Sequence, residues 1–318
     1  MRISQYLGAL VLLWPAVISW ADEPPAEPEP AAATQPDRTS QRFEGYLFLD
    51  VEGKPLPIQS DEEIERFLAE AEIVEISLVG SGITIPRKVV LQGDGFRAHA
   101  IFKDVNVERH KVTERINRRN RFSLDWFDSH RFDNASYKLD RILGLNRIPP
   151  GVPRKVGGEN GTITIWLEKT INDEKRSRRL KIEPPDYRRW HQQYLLMRIF
   201  DNLVANRDSN LGNLLIDPNW RLWFVDCTRC YGKTKALYYP IKEFEHCERG
   251  FWEGLKNLNA ETAQEELSPY LDKGEIKSLL ARRDAIIQHF QKLIDEKGAE
   301  RVLYVIPPPN ETAPWGNE

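Results

Sequence analysis

Apolar and polar positions divide the chain into a strand-patterned first part and a helix-patterned second part. GYLFLDVEG, from Gly45, alternates with the two-residue period of a strand, and DEEIERFLAEA repeats apolar residues at helical spacing. EIVEISLVGSGITIPRKVVLQGDGFRAHAIFKDV predicts three strands joined by glycine-containing turns, a small antiparallel sheet. FDNASYKLDRILGL places Ala135, Leu139, Ile142 and Leu143 on one helical face, ended by Gly144 and by Pro149 and Pro150. GVPRKV and TITIWLE are two further strand-like runs. After about residue 168 the period lengthens, and helices are predicted over Tyr187 to Val204, Ala260 to Leu271 and Lys273 to Lys297. Between the first two helices lies NRDSNLGNLLIDPNWRLWFVD, a hairpin with strands at Leu214 to Ile216 and Leu222 to Val225 around a turn at Asp217 to Trp220.

The ends of the chain have a different character. MRISQYLGALVLLWPAVISWA carries one basic residue, a short apolar stretch and small residues at Ser19 and Ala21, the pattern of a signal peptide cut after Ala21. Pro15 and the short apolar length argue against a full membrane span, an uncleaved anchor being the alternative. No later segment could cross a bilayer. Residues 22–42 are rich in Pro, Ala and Glu without a periodic apolar face and read as a disordered tether. The resulting plan is a signal peptide (1–21), a linker (22–42), a strand-rich N-lobe (43–168), a helical C-lobe (169–304) and an irregular tail (305–318). Export would place the protein in a periplasm, an extracellular space or a secretory lumen. In a lumen, Asn134, Asn160 and Asn310 would be glycosylation acceptors.

Composition narrows the classes of function. With 41% hydrophobic and 29% charged residues the chain is a soluble globular protein with ample core. Its net charge of −3 becomes −4 if the first 21 residues are lost, which argues against nucleic acid as a general partner. RHKVTERINRRNR (109–121) and KRSRR (175–179) are local basic clusters, read as solvated faces or as contacts for a phosphorylated or acidic substrate. Cys227, Cys230 and Cys247 are the cysteines: Cys227 is expected in the core, and a Cys230–Cys247 bridge is one open pairing in an exported protein. The six histidines lack metal-ligand spacing, and G-x-S-x-G, H-E-x-x-H and P-loop motifs are absent.

The hairpin carries the candidate chemistry. It returns Asp226 to the side of Asn213, and an Asn carbonyl with an Asp carboxylate offers hard oxygens to a divalent metal on nucleotide phosphates. Asp208, in the loop before it, is then free to orient a substrate hydroxyl. The same residues also read as turn formers and a strand-end carboxylate. Upstream, AHAIFKDV closes an apolar strand with Lys103, and VGSGITIP sets Gly80 and Gly82 in a turn between strands that precede it.

The spacing of NRDSNLGN and VDCT resembles the catalytic loop and metal-binding aspartate of protein kinases. FDNASYKLDRILGLNRIPPGVPR, with its Ala-x-Tyr-x-Leu-Asp-Arg-x-Leu-Gly-Leu core, resembles the atypical kinases of the secretory pathway, the Golgi casein kinase and xylosylkinase group. It is also similar to the bacterial relatives near the phosphatidylinositol 3-/4-kinase-like and HipA-type kinases. NRDSNLGNLLID looks like the group's N-x-D-R-H-x-G-N-L-L run with Ser209 and Asn210 in place of Arg-His, and FVDCTRCY its ID-x-x-R-x-F ending, keeping Asp226 and Arg229. The resemblance covers about residues 75 to 290 and implies an α+β, two-lobed protein-kinase-like fold. It further implies that Lys103 holds the ATP phosphates, Asp133 orients Lys103, and Asn213 with Asp226 ligates Mg²⁺ or Mn²⁺. Asp208 would take the hydroxyl proton, Gly80 and Gly82 would cover the phosphates, and Trp166, Leu167 and Glu168 would meet adenine. Asp133 stands where the group has a longer glutamate. The expected function is an exported kinase acting on a hydroxyl of a protein, sugar or lipid head group; a pseudokinase or binding module using the same cleft is the alternative.

Overall fold

The computed structural model describes residues 43–79, 86–117 and 120–309, with the backbone alone at 108–117 and 120–126. The expected signal peptide, the tether, Gly80, Gly82 and the tail beyond residue 309 lie outside them. In chain order the first part contains helix α1 (Asp61–Glu70), strands β1 (Glu72–Leu78), β2 (Arg87–Gly93), β3 (Phe96–Lys103), β4 (Asn106–Asn117) and β5 (Asn120–Ser129), helix α2 (Arg131–Ile142), and strands β6 (Gly151–Val156) and β7 (Glu159–Ile165). Five of these strands form one antiparallel sheet in the order β1-β2-β3-β7-β6, while β4 and β5 form a hairpin of their own. Alternation along β3 buries Ala98, Ala100 and Phe102, which leaves Ile101 and Lys103 on the opposite face. Ser60 and Glu63 close a capping box that starts α1, whose Ile64, Phe67 and Leu68 cover the buried face of the sheet.

The second part begins with β8 (Ile171–Asn172) and a π-helical turn at Lys175–Leu180, followed by α3 (Tyr187–Val204). Asp186 caps α3 by accepting from Arg189 N, and Ala205 ends it in the left-handed region at φ 54°. Strands β9 (Leu214–Ile216) and β10 (Leu222–Phe224) join β8 in a three-stranded sheet. The remaining elements are β11 (Cys247–Glu248), α4 (Arg249–Asn257), α5 (Ala260–Leu267), α6 (Lys273–Lys297), the single turn α7 (Ala299–Val302) and β12 (Leu303–Tyr304), which pairs parallel with β11. This is the α+β, two-lobed kinase-like fold: a small β-rich lobe followed by a helical one. Among the described residues no helix is long and apolar enough to cross a membrane.

Each lobe has its own apolar core, and Trp223 of β10 joins them. It lies in the cluster of the β-rich lobe, stacked on Phe43 with centroids 5.6 Å apart, and its indole N–H donates to Asp217 Oδ2 at 3.0 Å. Helix α2 belongs by sequence to the first lobe, yet Phe132, Ala135, Leu139 and Leu143 pack into the core of the second. Ile142 is only partly buried at the edge of that face. Arg131 extends the attachment with a bidentate pair to Glu275 of α6, both bonds 2.8 Å.

Several expectations need correction. GYLFLDVEG makes one isolated bridge, Leu49 to Pro55, instead of a strand. Glu44, Gly45 and Gly53 take positive φ, and its aromatic residues alternate because they pack around Trp223. The helix expected to reach Leu271 ends at Leu267, since Tyr270 N and Leu271 N both turn back to the Leu267 carbonyl. Of the basic run, residues 109–117 lie on β4 and 120–121 on β5, and KRSRR lies in the π-helical turn, where Arg176 is not a solvated residue but is buried against Asp173 at 2.5 Å. The Cys230–Cys247 bridge is not made: all three cysteines are free and buried, Cys247 on β11 and Cys230 beside Cys227 in the turn after Asp226. Asn134 is buried with its amide donated to Thr162 Oγ1 at 2.7 Å, so it offers no face to a glycan. Asp140, further along α2, is fully buried and accepts from Arg147 N at 2.8 Å, while Arg141 Nε donates to Asp61 at 2.6 Å.

Strand β7 fits against β3 with no room for a side chain at Gly161, where an added Cβ would collide with the Lys103 carbonyl and the Phe102 ring. Because Lys103 lies directly across from Thr162, any relief must move the strand that carries it. Gly161→Ala is expected to lower stability by about 1–3 kcal/mol in urea unfolding. A variant as stable as the parent would contradict this packing.

Candidate active site

A cleft of about 430 Å³ runs between the cleft-facing side of the five-stranded sheet and the β9–β10 hairpin. Three elements distant in sequence deliver charge to it: Lys103 from the end of β3, Asp133 from the first turn of α2 and Asp226 from the loop after β10. Lys103 Nζ donates to Asp133 Oδ2 at 3.0 Å and to Asp226 Oδ1 at 2.9 Å. The other Asp133 oxygen accepts from Cys227 N at 2.8 Å, so one carboxylate fastens the helix to both the strand and the loop.

The shorter aspartate suffices because α2 starts close to the sheet. Thr162, the cross-strand partner of Lys103, donates its hydroxyl to the His130 carbonyl at 2.8 Å and accepts from Asn134 Nδ2. That clamp sets the first helical turn beside β3 and replaces the reach of the missing methylene.

Burial works against the charge on Lys103, but the carboxylates of Asp133 and Asp226 outweigh it and hold its pKa above the ordinary lysine value. The Lys103 charge holds Asp226 below its ordinary value. Burial, with the neighbouring Asp226 charge, pushes Asp133 up despite Lys103.

Asp226 sits at φ 63°, a left-handed conformation that is costly for a residue other than glycine and that turns the chain out of β10. Its Oδ1 also accepts from Thr228 Oγ1 at 3.2 Å, and its Oδ2 is unclaimed among the described residues. The hairpin brings Asn213 alongside as expected, Val225 N donating to the Asn213 carbonyl at 3.2 Å. The Asn213 side chain donates its NH₂ to the Asp208 carbonyl at 3.1 Å, which leaves its amide oxygen free. Two hard oxygens, Asn213 Oδ1 and Asp226 Oδ2, are thus available to a small divalent cation whose shell phosphate oxygens would complete.

The loop holding Asp208 is built on a residue that sequence reasoning missed. Asp201, buried in the last turn of α3, accepts from Ser209 Oγ at 2.5 Å and from Asn206 Nδ2 at 2.8 Å, while Asn206 Oδ1 accepts from Asp208 N at 2.9 Å. The sequence offers little signal for it, because this helix also buries Arg189, Gln192, Gln193 and Asn202. Ser209, standing where the resembled group has a basic residue, serves this support. Asp208 accepts from Asn210 Nδ2 at 3.0 Å and from Arg229 Nη1 at 2.8 Å, so Arg229 reaches the candidate base.

At the back of the cleft Trp166 and Leu167 line the wall. Trp166 N is bonded to the His99 carbonyl at 3.0 Å, and the Leu167 carbonyl accepts from Thr170 Oγ1 at 2.8 Å. The Trp166 carbonyl and Leu167 N–H therefore remain for a base. Glu168 is not part of the wall: its carboxylate meets His99 Nδ1 at 2.5 Å and its carbonyl accepts from Tyr46. Lys175 of the second basic cluster does line the cleft.

A lysine anchored by a helix acid, a loop aspartate, and an Asn–Asp oxygen pair across a hairpin define the chain as one with the fold of the atypical kinases. No family model and no curated protein matches the sequence. Among solved structures, a Fam20 protein of hydra determined with sugar superposes with a TM-score of 0.59 at 17% identity, over 84% of this chain and 98% of that one. The Golgi casein kinase superposes with a TM-score of 0.54 at 16% identity, over 79% of this chain and 80% of that one. Its structure with Mn and ADP bound gives the same score and identity, over 80% of each chain. At these identities the likeness is one of fold.

Asp201 offers a test of how the loop is held. Burial pushes its pKa up to about 6 from 3.8, although the Ser209 and Asn206 hydrogen bonds favour the anion. Below pH 3.8 the carboxyl is protonated in both folded and unfolded chains. As pH rises towards 6 the unfolded chain releases the proton first, so stability is lost, by about 3 kcal/mol at 1.36 kcal/mol per unit. The stability of the parent relative to Asp201→Asn is expected to fall by that order between pH 4 and pH 7 in denaturant unfolding. A difference independent of pH would contradict the buried carboxyl.

Proposed function

We propose that the protein is an exported ATP-dependent phosphotransferase that moves the γ-phosphoryl group of ATP to a hydroxyl of a protein, a sugar or a lipid head group. The observation that carries this is the double pairing of Lys103 with Asp133 and Asp226 on the cleft wall, opposite the Asp208 loop. The cluster sets two carboxylates against one ammonium, an excess of negative charge that a divalent metal at Asp226 would offset. The N-terminal apolar stretch and the tether support export.

In this account Lys103 holds the α- and β-phosphates and Asp133 keeps it aimed. Asn213 and Asp226 hold Mg²⁺ or Mn²⁺, which would neutralise charge on the phosphate oxygens. The Trp166 carbonyl and the Leu167 N–H hold the base. Asp208 orients the acceptor hydroxyl and takes its proton as the new O–P bond forms and the bond from Pγ to the ADP oxygen breaks. The fold likeness to a kinase solved with Mn and ADP supports the choice of nucleotide and metal. Capture of a ligand without catalysis is the alternative, suggested by Asp133, by Ser209 and Asn210 in place of Arg-His and by the export signal; the Lys103–Asp133 contact at 3.0 Å answers the first of these.

The test is transfer of labelled phosphate from ATP to a panel of proteins, glycans and lipid head groups, with ATP hydrolysis as the acceptor-free readout. Turnover is expected to require Mg²⁺ or Mn²⁺ and to fall at least 100-fold in Asp208→Asn, within the range for loss of a general base. Turnover unaffected by Asp208→Asn, or absent in the parent with every acceptor, would overturn the proposal.

A further inference from the structure

Between Lys103 and Asp133 the chain inserts the β4–β5 hairpin, which pairs with no other strand among the described residues. Its root is nevertheless fixed to the loop that carries Asp226. Ser129 N donates to the Thr228 carbonyl at 2.8 Å, Ser129 Oγ donates to Asn106 Oδ1 at 2.8 Å, and His130 N donates to the Val105 carbonyl at 2.8 Å. One backbone bond therefore joins β5 to the segment following Asp226, and another joins the residue before β4 to the N-cap of α2.

One side chain continues this connection to the candidate base. Asp128, next to last in β5, is buried, and its Oδ2 accepts from Arg229 Nε at 3.1 Å. The same guanidinium donates Nη1 to Asp208 Oδ2 at 2.8 Å. Asp128 Oδ1 is buried with no hydrogen-bond partner among the described residues. A carboxylate retained for stability alone would be better served by two satisfied oxygens or by an apolar replacement, because an unmatched buried acceptor keeps its desolvation cost. What the incomplete pairing does achieve is direction: the fork of Arg229 is held by one aspartate while it holds the other.

We infer that Asp128 is a positioning residue for Asp208, acting through Arg229, and that the inserted hairpin thereby belongs to the catalytic apparatus. The inference rests on the role proposed for Asp208. It gives the hairpin a function that its separate pairing would not suggest, since displacement of its root moves the guanidinium that fixes the base. The metal oxygens of Asn213 and Asp226 are untouched by Asp128, so the effect falls on transfer rather than on nucleotide binding.

Two measurements on the full chain test it. In hydrogen–deuterium exchange, Asp128→Ala is expected to speed exchange of amides in residues 206–210 at least tenfold. Asp128→Asn, which keeps the hydrogen-bond acceptor and loses the charge, should speed it about threefold and guards against an unfolded alanine variant. Unchanged exchange in a folded variant overturns the inference whether or not the protein turns over ATP. In steady-state kinetics kcat should fall at least tenfold in Asp128→Ala and about threefold in Asp128→Asn, with KM for ATP within twofold of the parent. A parent kcat in both variants, or a rise in KM alone, also overturns it. If the parent has no turnover, the proposed function fails and the exchange result still decides the coupling.

Discussion

Lys103 is held by carboxylates from two elements that the chain reaches 30 and 123 residues later. The sheet must present the lysine on its cleft face, α2 must begin beside β3, and the β9–β10 hairpin must return Asp226 to the same point. Breaking a buried pair by removing one partner typically costs about 3–5 kcal/mol, because the remaining charge stays desolvated. The electrostatic demand of this triad therefore makes the relative placement of strand, helix and hairpin an energetic matter as well as a topological one. The Thr162 clamp on α2 and the Cys227 N–H on Asp133 are the means by which backbone geometry meets that demand.

Support for the other half of the site comes from beneath. Asp201 and Asn206 shape the loop that presents Asp208, and Asn213 fastens the far end of that loop through the Asp208 carbonyl. A phosphoryl-transfer site asks mainly for position and charge neutralisation. Rigid attachment of each polar group to a helix end or a hairpin is the corresponding structural property, and the loop residues here obtain it from side-chain hydrogen bonds in place of regular backbone pairing.

Elements with strong periodicity were legible in the sequence. Helices α3 and α6 fall where their apolar spacing and caps put them, and β3, which ends at Lys103, alternates because one of its faces is buried. Lys103 was legible because it closes an apolar strand, Asn213 and Asp226 because they flank a hairpin whose strands could be read, and Asp133 through the family resemblance of its helix. GYLFLDVEG misled because its aromatic alternation reflects packing around one tryptophan instead of strand pairing. The β4–β5 hairpin was missed because its basic residues mask any apolar period, and α4 because nine residues give too short a pattern. Asp201, Asp128 and the aim of Arg229 depend on contacts 5 to 101 residues apart, which spacing alone does not encode. Glu168 was assigned to the cleft from its place in the hinge, but its carboxylate is drawn to His99 on the neighbouring strand.

The central claim is that Asn213, Asp226 and Lys103 together make a nucleotide–metal site. Thermal unfolding of the full chain with ATP alone, with Mg²⁺ or Mn²⁺ alone and with both tests it most directly, since a ligand that binds only the folded state must raise the midpoint. The account requires a rise that needs nucleotide and metal together and that disappears in Asp226→Ala. A midpoint that neither ligand moves, or a rise that survives in Asp226→Ala, would contradict it.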